Sequence, residues 1–582
     1  MSADATLPNL IPMSAKDALT HFSGQLPELK NARVTGELDL RSIEVPGPVR
    51  VHNCVFEGAV DATDSRFDRS VQFTNCEFEK GLTLAHARIN GPLDLSGSVL
   101  KPANGAVHML FRDLHVEGCI EGTRLRVECG LNFSDLECGA ALRLRGAEIR
   151  GDLMLDSALI EGELDFGDCE KVGNDPASRT SIAGVLSCSR SQIESRVLLI
   201  GTSLGSATFE QTQIGGTMLI ASGRFTACQT EIGVLHPYGY SLSLLGAWLH
   251  GNLEIRGAKL HGYLGLSNVE IRCNLVLKDD ANTPSGGSFQ TFLGSGGKKP
   301  SLRLASASVR GAISLGNVSF DGLLEAPNAN VAVLELDLSS IESLEALSKK
   351  RLLAGKPAAV VFLEGLTFSE LQLSDSTSTT MVPRQQAHSS RISRLLALTD
   401  FDEGTYARIE AWLRRSAKDD DADKVFREMR KKETAQRGGW LKRVLFKLLE
   451  WLYGYGTQIK RACVIWVITF GFSYLMFSDG SGLDPTENGD QSPAIGAALK
   501  SPDWVDKAAV VFRIHLPIVP WLGDPEWKPA ARRIPKPDKL PQCVPWPPLR
   551  YDVIAHSFLV WNVVNVTLII ASISGLLKRR GS

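Results

Sequence analysis

Several stretches of this chain carry residue types that could do chemistry. Gly201-Thr202-Ser203-Leu204-Gly205 has the GxSxG form of a hydrolase elbow, where a strand turns sharply into a helix and exposes a nucleophilic serine. Here Ala207 and Phe209 continue an apolar alternation past the serine, so the stretch reads as part of a β array. Ser295-Gly296-Gly297 lacks both the GxGxxG spacing and the following helix of a dinucleotide site. Gly454-Tyr455-Gly456 has the letters of a potassium filter, but it precedes the first long apolar run, whereas such a filter lies between two spans. The 11 cysteines form no CxxC pair and no Cys/His cluster with zinc spacing, which argues against a metal site or a thioredoxin-like motif. His556, Asn562 and Asn565 remain, inside a late apolar run. The two asparagines are three apart and share a helical face with His556 nearby, where polar groups serve helix pairing or line a pore. No catalytic, cofactor or metal residue is assigned, and the chain reads as a non-enzyme.

The elements that must position these residues follow one spacing. The first apolar residue of each L-x-L pair falls at Leu38, Val49, Val60, Val71, Leu82 and Leu93, a step of 11. The phase slips near 100–119 and resumes at Ile120, Leu131, Leu142, Leu153 and Leu164, then at Leu242, Leu253, Leu264 and Leu275, and last at Leu302, Ile313 and Leu324. Apolar residues two apart, followed by charges and glycine, alternate as short strands do. Counting from that first residue, inward positions are +0, +2, +5 and +7. Glycine recurs at +9, as Gly58, Gly91, Gly151, Gly162, Gly251 and Gly262, and is expected to take the positive φ of a corner. Cys54, Cys76 and Cys169 fall in the +5 slot, which is alanine in other units, so they are expected to be buried, reduced packing residues.

This pattern resembles the pentapeptide-repeat family, whose five-residue units wind into a four-sided right-handed β-helix. Two such units joined with one extra residue imply a mainly β fold, a right-handed parallel quadrilateral β-helix of 11-residue half-coils and about 22 residues per coil. At about 4.8 Å per coil, roughly 15 coils would make a rod on the order of 70 Å long. The β-helix is expected over 30–380 after an N-terminal cap at 1–29. Insertions are expected at 169–183, 222–240, 278–301 and 339–358, the last helical, and insertions of this kind often carry recognition.

After 380 the period changes. Tyr406, Ile409, Trp412 and Leu413 lie on one helical face and Val425, Phe426 and Met429 on a second helix, which reads as an α-helical hairpin adaptor over 385–437. Residues 438–460 are basic and aromatic and read as an interfacial amphipathic helix, with Trp440, Trp451, Tyr453 and Tyr455 as interface anchors. A membrane domain is expected over 461–582. It comprises spans at 462–478 and 553–577, joined by a loop at 479–551 in which Arg513, His515, Pro517 and Pro520 mark a possible re-entrant segment. Basic residues flank both spans on the same side, and the start of the chain lacks a secretory signal pattern, so both termini and the β-helix are expected in the cytoplasm. The stretches GWLKRVLFKLLEWLYGYG, LPIVPWLGDPEW and ISGLLKRR resemble bacterial membrane proteins in which a pentapeptide-like β-helix precedes a two-span, ion-channel-like tail.

The net charge of −2 is uneven. Residues 1–380 carry 44 acidic and 33 basic side chains, and 381–582 carry 21 and 30. A basic tail beside apolar runs points to an anionic membrane surface. A net of −11 over 380 residues is weak for DNA mimicry, so nucleic acid is an unlikely partner. The expected function is a non-enzymatic interaction scaffold anchored in the bacterial inner membrane. The alternative is an oligomeric ion-channel-like pore or membrane-disrupting effector of stress or phage defence, gated by the β-helix. Expected partners are the lipid bilayer, further copies of the chain and a cytosolic protein on the β-helix face or its insertions. No cofactor is expected.

Overall fold

Two residues, one turned inward and one outward, suffice for most strands of this protein. One turn of the coil contains Val49–His52, Val55–Phe56, Val60–Asp61 and Arg66–Phe67, which form four successive faces. The next turn repeats the pattern, and every face stacks in parallel. Val49 pairs with Val71 and Val71 with Leu93; Val34 pairs with Phe56 and Phe56 with Phe78; Leu38 pairs with Val60 and Val60 with Leu82. These partners are 22 apart, so the 11-residue spacing is half a coil. Where extra chain leaves the ladder, the step lengthens and the register is recovered, as in Leu164 to Val197, Met218 to Leu253 and Leu275 to Ile313. Every inward residue therefore finds the same slot one coil on, because slipping by one residue would turn the apolar set outward.

The computed structural model describes residues 10–22, 27–103, 106–168, 179–225, 240–279, 291–293, 300–374, 384–437, 447, 459–479, 482–485, 502–515, 527–531, 533–534 and 550–573. The chain divides into two compact units, Met1–Thr405 and Tyr406–Ser582. Most of the insertion stretches 169–183, 222–240 and 278–301 lies outside the described residues, as do Cys169, Ser295 to Gly297, Gly454 to Gly456, the anchors Trp440, Trp451, Tyr453 and Tyr455, and Pro517 and Pro520.

The corners differ from the sequence expectation. Left-handed residues do recur every 11, but at +4, as Ser42, Asn53, Asp64, Asn75, His86 and Gly97 with φ between 52° and 70°. Asparagine and aspartate tolerate that conformation because their short side chains hydrogen-bond locally. The +9 glycines have another task. A Cβ on Gly151 would stand 2.5 Å from Gly130 N, and one on Gly251 would stand 2.5 Å from Gly216 C. These glycines let one coil lie directly on the backbone of the one before it.

The interior is a stack of identical slots filled by Leu, Ile, Val and Phe, nearly all with no exposure. The +5 slot often takes a small residue, as Cys54, Cys76, Ser98 and Ala147, and in other coils a larger one, as Leu125 and Leu136. Cys76 N donates to Ser98 Oγ at 2.9 Å, and Ser98 Oγ donates to Phe73 O at 2.7 Å, so the hydroxyl is satisfied within the ladder. Both thiols are free. Contact with Cys54, then burial, pushes the Cys76 thiol up. Burial likewise pushes Cys138 up to about 11 and raises Cys188. Contact with Cys76 draws the Cys54 thiol the other way, so its protection rests on burial, while Cys76, Cys138 and Cys188 are both buried and held protonated. Maleimide added to the native chain is expected to label the exposed Cys273 and Cys463 well before Cys54, Cys76, Cys138 and Cys188. Equal labelling rates by mass spectrometry would contradict the buried slots.

Both ends of the ladder described in the first unit are covered. Helix α1, Ala15–Phe22, is opened by Ser14, whose Oγ accepts from Asp17 N at 3.2 Å, and it buries Ala18 and Phe22 beside the first coil. Helix α2, Leu338–Leu353, packs on the strand Val318–Phe320. Val318 N and Phe320 N donate to Ser340 Oγ and Ser343 Oγ at 2.9 and 2.8 Å. Two serines thus satisfy edge N–H groups that a further strand would otherwise have taken. Helix α3, Arg384–Leu398, is tied to α2 by a bidentate Arg394–Glu345 pair at 2.6 and 2.9 Å.

Helix α4 is Glu403–Arg415 and α5 is Asp419–Arg437. Arg414 bonds Glu410 at 2.7 Å and Asp423 at 3.2 Å, and so joins the two helices. Tyr406, Ile409, Trp412, Leu413, Val425, Phe426 and Met429 are buried. Three further helices, α6 (Ile459–Phe477), α7 (Trp504–His515) and α8 (Tyr551–Ile573), pack on one another around Phe477, Val510, Val511, Ile514, Tyr551 and Ala555.

These helices overturn the membrane expectation. Among the described residues no helix is long and apolar enough to cross a membrane. The proposed span at 462–478 is α6, only 19 residues long and beginning with Lys460 and Arg461. The one proposed at 553–577 falls on α8, which is interrupted by Asp552, His556, Asn562 and Asn565. Arg513 and His515 belong to α7, a 12-residue helix that packs on both of the others, while Pro517 and Pro520 of the expected re-entrant segment lie outside the described residues. A two-span fold, an inner-membrane location and a channel-like tail have no spanning element to rest on among the described residues.

Candidate functional site

Two regions concentrate polar side chains. The first is the outer surface of the β-helix, where stacking turns each outward position into a column. Arg66, Arg88, His115 and Glu137 are register partners on successive coils. The corner residues Asp64, His86 and Asp113 form a second column beside them. His86 Nδ1 lies 2.8 Å from Asp113, and His115 Nδ1 lies 2.7 Å from Glu137. With Arg88 and Leu114 these groups line an open groove of about 550 Å³. Among the described residues, no three His, Cys, Asp or Glu side chains are placed to hold a metal ion.

Further along the array the columns become ion-pair ladders. Arg143 bridges Glu121 at 2.8 Å and Glu163 at 3.1 Å, and Arg196 reaches Glu163 at 2.9 Å. Burial alone would raise the Glu163 carboxyl, but Arg196 and Arg143 outweigh it and hold it below the ordinary value. Asp165, almost fully buried, is covered by Arg145. Higher still, the outward column reads Gln213, Trp248, Glu270. Trp248 is the only tryptophan in residues 1–405, and it is turned outward with 45% of its surface exposed. It sits in a notch of about 230 Å³ with Gln213, His250, Glu270 and Arg272, and Arg310 bonds Glu270 at 2.9 Å.

None of these surface residues stood out in the linear sequence. Their signal is a recurrence at the coil spacing, visible once the ladder is drawn. Ser203, the serine of the GxSxG stretch, starts a strand over Ser203–Thr208, and its N donates to Thr180 O at 2.9 Å. With no helix after it, it is not an elbow nucleophile.

The second region lies inside the α6–α7–α8 cluster. Asn562 and Asn565 are fully buried on α8, with Nδ2 atoms donating to Phe558 O at 2.7 Å and Trp561 O at 3.1 Å. His556 stays outside on the exposed side, its Nδ1 2.7 Å from Asp552 O. The histidine that approaches Asn562 is His515, fully buried at the end of α7. Its Nε2 lies 2.9 Å from Ser473 Oγ on α6. Trp466, Phe470 and Phe558 surround the imidazole with centroids 6.1, 5.2 and 6.3 Å away. The helices thus bring Ser473, His515 and Asn562 together from three separate stretches of chain. A Ser-His pair can activate a nucleophile where substrate reaches it, but Ser473 has no exposure, so the arrangement suits a polar contact between helices.

Residues 52–99 match a family model described as Pentapeptide repeats (9 copies). Neither the curated proteins nor the solved structures contain a match to the chain. Together with parallel strands stacked coil on coil, the family match supports a pentapeptide-repeat β-helix, with a coil of two 11-residue halves.

Proposed function

We propose that the chain is a non-enzymatic interaction scaffold whose β-helix presents a protein-docking face. The coil commits its apolar residues to the inner ladder and leaves broad faces of paired charges, which favours recognition of a large, flat partner over enclosure of a small substrate. Trp248 is the observation that carries this reading. An indole held outward on a rigid strand, ringed by Gln213, His250, Glu270 and Arg272, has the composition of an interface anchor, since tryptophan and arginine dominate binding hot spots.

The experiment is site-specific photocrosslinking from position 248, with Arg66 on the same face as a distant control, followed by affinity measurement on the captured protein. Trp248→Ala is expected to weaken binding by about 2 kcal/mol or more, roughly 30-fold. Affinity unchanged within twofold would remove this face as the docking surface. If the captured protein is a second copy of the chain, sedimentation should show the oligomer of the native chain and its loss in Trp248→Ala.

A further inference from the structure

The notch around Trp248 has a charge pattern of its own. Leu249, Ile271 and Val309 are register partners on three successive coils. The residue after each turns outward, so His250, Arg272 and Arg310 form a stripe beside the column of Trp248, Glu270 and Ser308. Followed the other way along the array, the stripe becomes Gly215, Glu194 and Glu161, and its sign reverses. Gly246 stands at the corner two residues before Trp248, where no side chain rises. Arg310 neutralises Glu270 at 2.9 Å. Arg272 is exposed, and among the described residues no carboxylate lies within ion-pair distance of it. One carboxylate thus faces two guanidiniums, which leaves a positive charge beside an exposed indole.

Size and spacing narrow what could fit. At about 230 Å³ the notch falls below the roughly 300–1,000 Å³ of clefts that enclose a whole small molecule, so it suits one side chain. Trp248 and His250 are two residues apart on a strand, about 6.6 Å, and Arg272 stands one coil on, about 4.8 Å away, so the diagonal is on the order of 8 Å. Alternate side chains of an extended peptide are also about 6.6 Å apart, and a flexible arginine reaches the remainder.

We infer that the notch binds an extended acidic segment of the partner, with an apolar or aromatic side chain on Trp248 and an Asp or Glu two positions away on Arg272. The inference rests on the docking reading above and adds the partner's chemistry. The planar fork of Arg272 gives a carboxylate two parallel hydrogen bonds, and an apolar group seated on the indole keeps water from one side of them. A basic segment would meet Arg272 and Arg310 as like charges. A nucleic-acid strand needs cations along its whole track, and Glu194 and Glu161 oppose it on this one.

The test is selection of displayed random peptides on the full native chain, with depletion on the Trp248→Ala chain. Enriched peptides are expected to share an apolar or aromatic residue with Asp or Glu two positions away. A synthetic peptide of that consensus should bind about tenfold or more tightly than its Asn or Gln counterpart. Arg272→Glu should weaken the acidic peptide by a similar factor and favour its Lys counterpart; β-sheet circular dichroism checks its fold, and Arg272→Gln replaces it if the fold is lost. Bound peptide should slow maleimide labelling of Cys273, exposed beside Arg272, and leave Cys463 unchanged. Enrichment of basic or uncharged peptides, an acidic peptide indifferent to Arg272, or tighter binding of an oligothymidylate overturns the inference and leaves Trp248 as the docking anchor. If no peptide distinguishes the native chain from Trp248→Ala, the inference also falls, and photocrosslinking from position 248 decides separately whether the face docks a folded protein.

Discussion

Phe78→Ala is expected to cost about 3–5 kcal/mol, among the largest losses available to a single truncation in the β-helix. Phe78 is fully buried, stacked on Phe56 with centroids 4.9 Å apart and planes 7° off parallel, and met edge-on by Phe73 at 5.6 Å. Phe56 and Phe78 thus stack in one slot on neighbouring coils, and Phe73 approaches from another face of the coil that holds Phe78. Removing Phe78 takes away its transfer free energy, leaves a cavity, and forfeits ring contacts worth about 0.5–1.5 kcal/mol beyond area. The cavity resists collapse because coil spacing is set by backbone hydrogen bonds above and below, such as Glu77 N to Cys54 O at 2.8 Å and Val99 N to Cys76 O at 2.8 Å. Urea unfolding followed by β-sheet circular dichroism checks it, with Gln72→Ala on the outward side of the same coil as the control. A loss below about 1 kcal/mol would mean that the coils close over the gap.

The same slots show why so much of the β-helix was legible. An inward position recurs at fixed spacing and accepts only a narrow range of volumes, so Leu142, Leu153 and Leu164 announce their shared environment in one dimension. Outward positions answer to no such constraint. Asp64, His86 and Asp113 become a column only after the coil is closed, and Trp248 lies outward in a column otherwise held by charged or amide groups near it. The tail was harder to read for a different reason. A run of apolar residues has the same letters whether it faces lipid or other helices, and its length and interruptions decide the matter. The asparagines at 562 and 565 were visible as buried polar groups, but the partner chosen from sequence proximity was His556. The fold instead brings His515 across from α7, 47 residues away in the chain. Covalent distance predicts contacts within one helix; it carries no information about which helix packs alongside.

Glycines five residues apart should respond to substitution in opposite ways, and this separates the two tasks that the coil assigns to glycine. Gly246 occupies a left-handed corner with φ +66°, and a Cβ built there meets nothing nearer than Gln211 Cγ at 3.6 Å. Its equivalents at other corners are Asn53, Asn75 and Asn268, so Gly246→Asn is expected to change stability by less than about 1 kcal/mol. Gly251 is different. A Cβ there would come within 2.5 Å of Gly216 C, 2.6 Å of Gly216 O and 2.6 Å of Thr217 N, all backbone of the preceding coil. Those atoms cannot rotate away, and the coil they belong to is itself anchored through Gly251 N to Gly216 O at 3.1 Å and Met218 N to Asn252 O at 2.9 Å. Adding one methyl must therefore pry two coils apart along several hydrogen bonds at once. Gly251→Ala should cost about 1–3 kcal/mol or more, the range for overpacking, even though alanine is the mildest of substitutions. Hydrogen exchange should localise the damage to the coils on either side of 251, since in a stacked array each coil contacts only its neighbours. If Gly246→Asn proves the more damaging of the two, the division between corner and close approach is wrong.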